Sequence, residues 1–167
     1  MTLDFNVPGE VKIAMILHVK ETVKLFSEHD NSKSVSATPA AERAFKVNED
    51  ALSLTEEQLT VCHNFVAKCL FLTKQARLDV STAMALLSAQ VKASDVDDWK
   101  MLVQVIRCLC GSIEKPLILR ADSAPVPKWW VDGSHAAHPN MRGHLCGCVS
   151  LGKGVPINAS TKQKLNT

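Results

Sequence analysis

Apolar and polar side chains alternate over the first fifteen positions of the chain, which is the pattern of half-buried β-strands. Pro8 and Gly9 interrupt the alternation and favour a tight turn, because proline fixes φ while glycine accepts a positive φ. This pattern predicts a β-hairpin. Residues 16–26 then show helical spacing, while residues 27–54 are polar, have no sustained period and indicate a long loop or linker. The expected buried side of the helix is Leu17, Thr22, Leu25 and Phe26.

Three helices are predicted between the linker and position 115. Thr55 and Gln58 match a capping box, in which each residue satisfies a backbone donor near the other, and a long apolar stripe follows them. A second helix is expected over residues 80–91. The third is expected to start at Asp95 or the serine before it and to end at Gly111.

Short β-type runs replace the helical spacing after position 116. They cover residues 117–120, 128–132, 143–151 and 155–161. We expect them to form one small antiparallel meander, with an open edge and an uncovered face. The predicted fold class is therefore α+β. Its four segments are a hairpin with a helix (1–26), a linker (27–54), a helical unit (55–115) and a sheet (116–167).

The main feature that composition adds to this fold prediction is the distribution of charge along the chain. The chain has 167 residues, 46% of them apolar, and a net charge of +2. All acidic residues precede position 133, so the charged residues of the C-terminal segment are all basic. Such a segment could contact a polyanion, although a few basic residues more often form an ordinary solubilising surface. No apolar stretch approaches the roughly 20 residues that a bilayer requires, and the N-terminus lacks a signal-peptide pattern. We therefore expect no membrane partner and six reduced cysteines.

Two groups of residues carry candidate chemistry. Five possible zinc ligands fall within fourteen positions, although the cysteines lack the paired spacing of structural zinc sites. They are His135, His138, His144, Cys146 and Cys148. The acidic run at 95–98 is explained by the start of a helix. Asp132 instead ends an apolar run, but one carboxylate is an incomplete site for two-metal phosphodiester chemistry.

Three stretches of the C-terminal segment form a specific pattern: WWVDGSHAAHPNMRGH (129–144), LGKG (151–154) and STKQKLNT (160–167). This pattern resembles the start of the ribonuclease H region in copia-type retrotransposon polyproteins. Upstream, ATPA (37–40), VNED (47–50), AKCLFLTKQAR (67–77) and VIRCLCGSI (105–113) look like the thumb and connection that follow the polymerase core, and MTLDF (1–5) looks like the strand just after it. The resemblance covers essentially the whole chain.

The resemblance implies an RNA-directed DNA polymerase joined to a ribonuclease H that uses Mg²⁺ or Mn²⁺. The chain is expected to begin after the polymerase aspartates, with residues 1–26 as the end of the palm, 55–115 as thumb and connection, and 116–167 as a truncated ribonuclease H-type meander. Asp132 matches the first metal-binding carboxylate of that family. Because the next acid is expected beyond the last residue, we expect no cleavage by this chain alone.

We therefore expect this chain to bind an RNA–DNA hybrid or primer–template weakly and without sequence preference. The rest of the polyprotein is the other expected partner. The cations expected to contact phosphates are Lys74, Arg77, Arg142, Lys162 and Lys164. The family implies a cytoplasmic particle or the nucleus as the location. Two alternatives stay open: a nuclease whose missing carboxylates come from a partner chain or from Glu114 and Asp122, and a zinc-stabilised binding module.

Overall fold

The computed structural model shows a mixed α+β chain with four α-helices and two antiparallel sheets, which confirms the predicted class. It describes residues 1–30, 34–40, 48, 50–124, 126–138 and 140–164. The helices are α1 (Ile16–Phe26), α2 (Glu56–Gln75), α3 (Ser81–Gln90) and α4 (Val96–Cys110), and a 3₁₀ turn (Leu78–Val80) precedes α3. The strands are β1 (Thr2–Asp4), β2 (Glu10–Ala14), β3 (Leu117–Ala121), β4 (Lys128–Ser134), β5 (His144–Ser150), β6 (Gly152–Lys153) and β7 (Ile157–Lys162).

The N-terminal hairpin and the first helix are confirmed. Strands β1 and β2 pair antiparallel, and Gly9 takes a φ of +74° at the turn between them. The buried side of α1 differs from the expected one. Leu17 is 81% exposed, because the residues that face the core are Val19, Thr22 and Phe26, which recur at helical spacing from one another.

The three predicted helices form one core with α1. Thr55 and Gln58 make the expected capping box, and Asp95 with Asp98 makes a second one at the start of α4. Phe26 links α1 to this core through an edge-on contact with the Phe65 ring, 4.9 Å between centroids. Buried side chains from α1, α2, α3 and α4 belong to one hydrophobic cluster.

The prediction of a single C-terminal meander is wrong in one respect. Strand β3 pairs with β2 on one side and with the short strand β6 on the other, so that one sheet has the order β1-β2-β3-β6 and the other the order β4-β5-β7. In that register Ile13 lies opposite Leu117, and both side chains pack against the helical core. Burial of this apolar pair against the helices accounts for the departure of β3 from the meander.

The short strand β6 approaches β3 closely. A Cβ on Gly154, just after β6, would lie 2.0 Å from the carbonyl oxygen of Ile118, so only glycine fits there.

The linker prediction lies partly outside the described residues, since 31–33, 41–47 and 49 are not described. The described parts contact α4: the backbone N–H of Ser36 donates to the carbonyl of Arg107, whose guanidinium pairs with Asp30 at 3.1 Å. The division of the chain into four segments stays a prediction. Among the described residues, no helix has the length and apolar character to span a bilayer.

The capping carboxylate of α4 generates a stability prediction. Asp98 is buried, and burial together with the neighbouring carboxylates Asp95 and Asp97 raises its pKa to about 6. A raised folded pKa favours folding below the unfolded value of about 4, and this contribution is lost as the pH rises to 6. Asp98→Asn keeps an oxygen acceptor for the Asp95 backbone N–H. We expect this variant to gain about 1–3 kcal/mol in urea unfolding at pH 8 and little at pH 4.

Asp97→Asn is the matched control, because Asp97 is exposed to solvent and hydrogen-bonded by Lys100, which lowers the pKa of its carboxyl. We expect no gain from this variant at pH 8. Equal gains from both variants, or a gain from Asp98→Asn that does not change with pH, would show that burial of the Asp98 charge costs nothing.

Candidate functional site

A groove of about 710 Å³ separates the β4-β5-β7 sheet from the 3₁₀ turn and the first residues of α3. On the helical side it is lined by Leu78, Ser81 and Thr82. On the sheet side the polar lining residues are Asp132, Cys146, Cys148, Asn158 and Ser160. The groove is therefore mixed in character, since Trp130 and Val155 also line it.

Strand pairing sets the order of the side chains along the groove. Asp132 lies opposite Cys146, which lies opposite Ser160, so these three residues form one row across the sheet. Trp130, Cys148 and Asn158 form the next row on the same face.

The opposite face of the sheet is apolar and open, as expected for the uncovered face predicted from the sequence. Strand alternation directs the side chains of Trp129, Val131 and Ile157 to this face, and all three are more than 60% exposed. Trp129 and Val131 also border the groove.

Asp132 is the one carboxylate among the described residues that line the groove. Its Oδ1 accepts the backbone N–H of Gly133 at 2.9 Å, and the side chain is exposed. Two-metal phosphodiester chemistry needs several carboxylates converging on the same ions. The described residues do not supply them, so they do not fit the Mg²⁺ or Mn²⁺ pair that the family resemblance implies.

Glu114 and Asp122 do not complete this site. Glu114 lies in the turn after α4, and neither residue lines the groove. Asp122 forms an ion pair with Lys128 at the opposite end of β4 from Asp132, and the hydrogen bond from Lys128 lowers the pKa of the Asp122 carboxyl. The Asp122 carboxylate is already committed to this lysine.

Three of the predicted phosphate-contacting cations converge at one end of the sheet. Gln163 donates its backbone N–H to the carbonyl of Gly143. Because the two segments run antiparallel, the next residues along them, Arg142 and Lys164, lie opposite each other. Lys162 lies one residue earlier, opposite His144. We call Arg142, Lys162 and Lys164 the basic end of the sheet. Lys74 is exposed but lies on α2, outside this group.

Arg77 does not belong to a phosphate-contacting surface, which corrects the prediction for this residue. It is 1% exposed, because its guanidinium donates to both carboxylate oxygens of Asp79, at 3.0 and 2.9 Å. It also donates to the carbonyl and hydroxyl oxygens of Ser112, at 3.0 and 2.7 Å. Burial opposes ionisation of Asp79, but the hydrogen bonds and charges of Arg77 and Lys115 keep its pKa lowered. Arg77 therefore has a structural role, since its buried guanidinium links Asp79 to Ser112.

The five possible zinc ligands are not gathered into one site. His135 is exposed, and Cys148 faces the groove beside Trp130. Among the described residues there is no group of three or more His, Cys, Asp or Glu placed to hold a metal ion. The buried pair His138 and His144 instead forms a direct contact, with 3.0 Å between Nε2 of His138 and Nδ1 of His144.

A second hydrogen bond connects this histidine pair to Ser160 in the groove. This connection is not predicted from the sequence. His144 Nε2 lies 2.8 Å from the hydroxyl oxygen of Ser160, and the Cys146 Sγ lies 3.6 Å from the same oxygen. No local motif signals it, because Ser160 follows His144 by sixteen positions. The available signal was the β-alternation of the two strands, which predicts cross-strand neighbours only once the register is known.

No protein-family model matches the chain, and a search of solved structures finds no significant match.

The buried histidine pair generates a pH prediction. Burial lowers the pKa of both imidazoles, and the charge of Lys162 and the neighbouring ring lower that of His138 further. A lowered folded pKa means that the pair's contribution to stability is complete above the unfolded value of about 6.5 and is lost as the pH falls through the folded pKa values. We expect the stability advantage of the wild type over His144→Gln, measured by urea unfolding, to shrink between pH 7 and pH 5.

His135→Gln is the matched control, because His135 is exposed just after β4. Its stability difference from the wild type should stay flat over the same pH range. An advantage over His144→Gln that is constant with pH would contradict a buried neutral pair.

Proposed function

We propose that this chain is the thumb, connection and initial ribonuclease H part of a copia-type reverse transcriptase–ribonuclease H polyprotein. We further propose that it binds the phosphates of an RNA–DNA hybrid weakly and without reading sequence. The basic end of the sheet carries this proposal: Lys162 lies opposite His144 where β5 pairs with β7, and the hydrogen bond from Gln163 to Gly143 brings the adjacent residues Arg142 and Lys164 near each other. Clustered cations bind a polyanion by releasing its counterions.

Charge distribution supports this surface. No Asp or Glu follows position 132, so no acidic neighbour in that part of the sequence competes with phosphate for these cations. Lys164 is exposed and Arg142 and Lys162 are half-buried, so all three keep some contact with solvent. Such contacts position a protein on nucleic acid and carry no base specificity.

The same residues argue against cleavage by this chain. The groove beside the basic end offers the single carboxylate of Asp132, and the two nearest sequence candidates, Glu114 and Asp122, do not line it. We therefore propose hybrid binding without hydrolysis for the chain as it stands. The remainder of the polyprotein is the partner that would supply further carboxylates.

Salt-dependent binding tests this proposal. We expect a fluorescently labelled RNA–DNA hybrid to bind the wild type at low salt, with equal affinity for two hybrids of unrelated sequence. Replacing Arg142, Lys162 and Lys164 together by Ala should reduce the slope of log K against log salt by about 2 to 3, because each phosphate contact contributes about 0.7–0.9. Fluorescence anisotropy across a salt series measures both quantities.

The matched control replaces Lys20, Lys24 and Lys92, three exposed lysines on the helical part of the chain, and changes the net charge by the same amount. It should leave most of the slope in place. No binding at the lowest salt, or equal slopes for the two triple variants, would remove the basic end as the binding surface.

A further inference from the structure

A continuous hydrogen-bonded chain of side chains runs from the interior of the molecule to the groove. His138 Nε2 and His144 Nδ1 are 3.0 Å apart, and His144 Nε2 lies 2.8 Å from Ser160 Oγ. The two histidines are only 4% and 3% exposed, whereas Ser160 is half-buried and lines the groove. A hydroxyl, a base within hydrogen-bond reach, and a third group that orients the base are the parts of an activated nucleophile.

We propose that Ser160, His144 and His138 form a nucleophilic relay that accepts an acyl group from a carboxylic ester bound in the groove. This activity is distinct from hybrid binding, because no residue of the basic end belongs to the relay, although the charge of Lys162 acts on His138. It also needs no metal.

The protonation states of His144 and His138 suit this role. For His144 Nε2 to accept the Ser160 proton, its Nδ1 must carry hydrogen and donate to His138 Nε2. Burial keeps both imidazoles neutral near pH 7, because it lowers their pKa values. Lys162 is the cation that faces His138, and Cys146 is the other titratable neighbour of Ser160.

The groove provides room and donors for a small ester. Its volume of about 710 Å³ exceeds what a short acyl chain requires, and Trp130 and Val155 supply apolar lining. Asn158 lies on the same face of β7 two residues before Ser160, and the hydroxyls of Ser81 and Thr82 lie on the opposite wall. These amide and hydroxyl groups are the donors available to an oxyanion.

The reaction balances with water as the only co-reactant. The Ser160 hydroxyl gives its proton to His144 Nε2 while its oxygen forms a bond to the carbonyl carbon. The bond from that carbon to the alcohol oxygen then breaks, and the leaving alcohol takes the proton from His144. Water repeats the sequence on the acyl-serine, so that the products are a carboxylic acid, an alcohol and free Ser160.

A fluorophosphonate probe tests the relay on the full chain. Attack by Ser160 on phosphorus displaces fluoride and leaves a stable label that mass spectrometry of peptides locates. We expect one label per chain on Ser160, and a labelling rate that falls about 10²–10⁴-fold in His144→Ala, since the base is lost. The rate for the wild type should also fall at acid pH, below the lowered pKa of His144, because the imidazole then takes up a proton and cannot act as a base.

Thr161→Ala is the matched control, because Thr161 is exposed on the opposite face of the same strand, and its labelling should equal that of the wild type. Circular dichroism of each variant shows whether it folds, and the site of the label in the wild type does not depend on any variant. No label between pH 5 and 9, a label on a residue other than Ser160, or a folded His144→Ala variant that labels at the wild-type rate would overturn the proposal.

Discussion

The buried guanidinium of Arg77 constrains the whole arrangement of helices around the groove. It lies where α2 ends, binds the carboxylate of Asp79 in the following 3₁₀ turn, and reaches the carbonyl and hydroxyl oxygens of Ser112 after α4. A buried charge is tolerated only when its donors are paired, and here they connect three chain segments. These bonds act together with the buried α3 side chains Met84 and Leu87 to set the direction in which α3 leaves this turn.

One wall of the groove depends on that geometry. The 3₁₀ turn and the start of α3 form one wall through Leu78, Ser81 and Thr82. The facing sheet contributes alternate residues of β4, β5 and β7, so that Asp132 and Ser160 share the groove. The basic end lies on the sheet, and none of its three residues lines the groove. The proposed phosphate binding and the proposed groove chemistry can therefore be tested with different variants.

Local chemistry made much of the fold predictable from the sequence. The capping boxes at Thr55 and Asp95 depend on residues three positions apart, and the hairpin depends on a turn that Gly9 permits. Long-range pairing was not predictable in the same way, because the alternation in β3 is compatible with either sheet. Its partner is chosen by burial of Leu117 against the helices.

The candidate site likewise has features that local sequence predicts and features that depend on long-range pairing. The exposed position of Asp132 and the grouping of the C-terminal cations follow from their places on short strands. Arg77 was misassigned because sequence shows a cation at a helix end and does not show that Asp79 and Ser112 enclose it. The link from His144 to Ser160 is invisible without the register of β5 and β7.

A double-mutant cycle between Arg77 and Asp79 tests most directly whether the buried ion pair holds this arrangement together. We expect a coupling energy of about 1–3 kcal/mol in urea unfolding of Arg77→Leu, Asp79→Leu and the double variant. The exposed Lys115, which contacts the same carboxylate at 3.2 Å, should couple to Asp79 by less than about 1 kcal/mol. An Arg77 coupling no larger than that of Lys115 would show that the buried ion pair does not hold the helices in place.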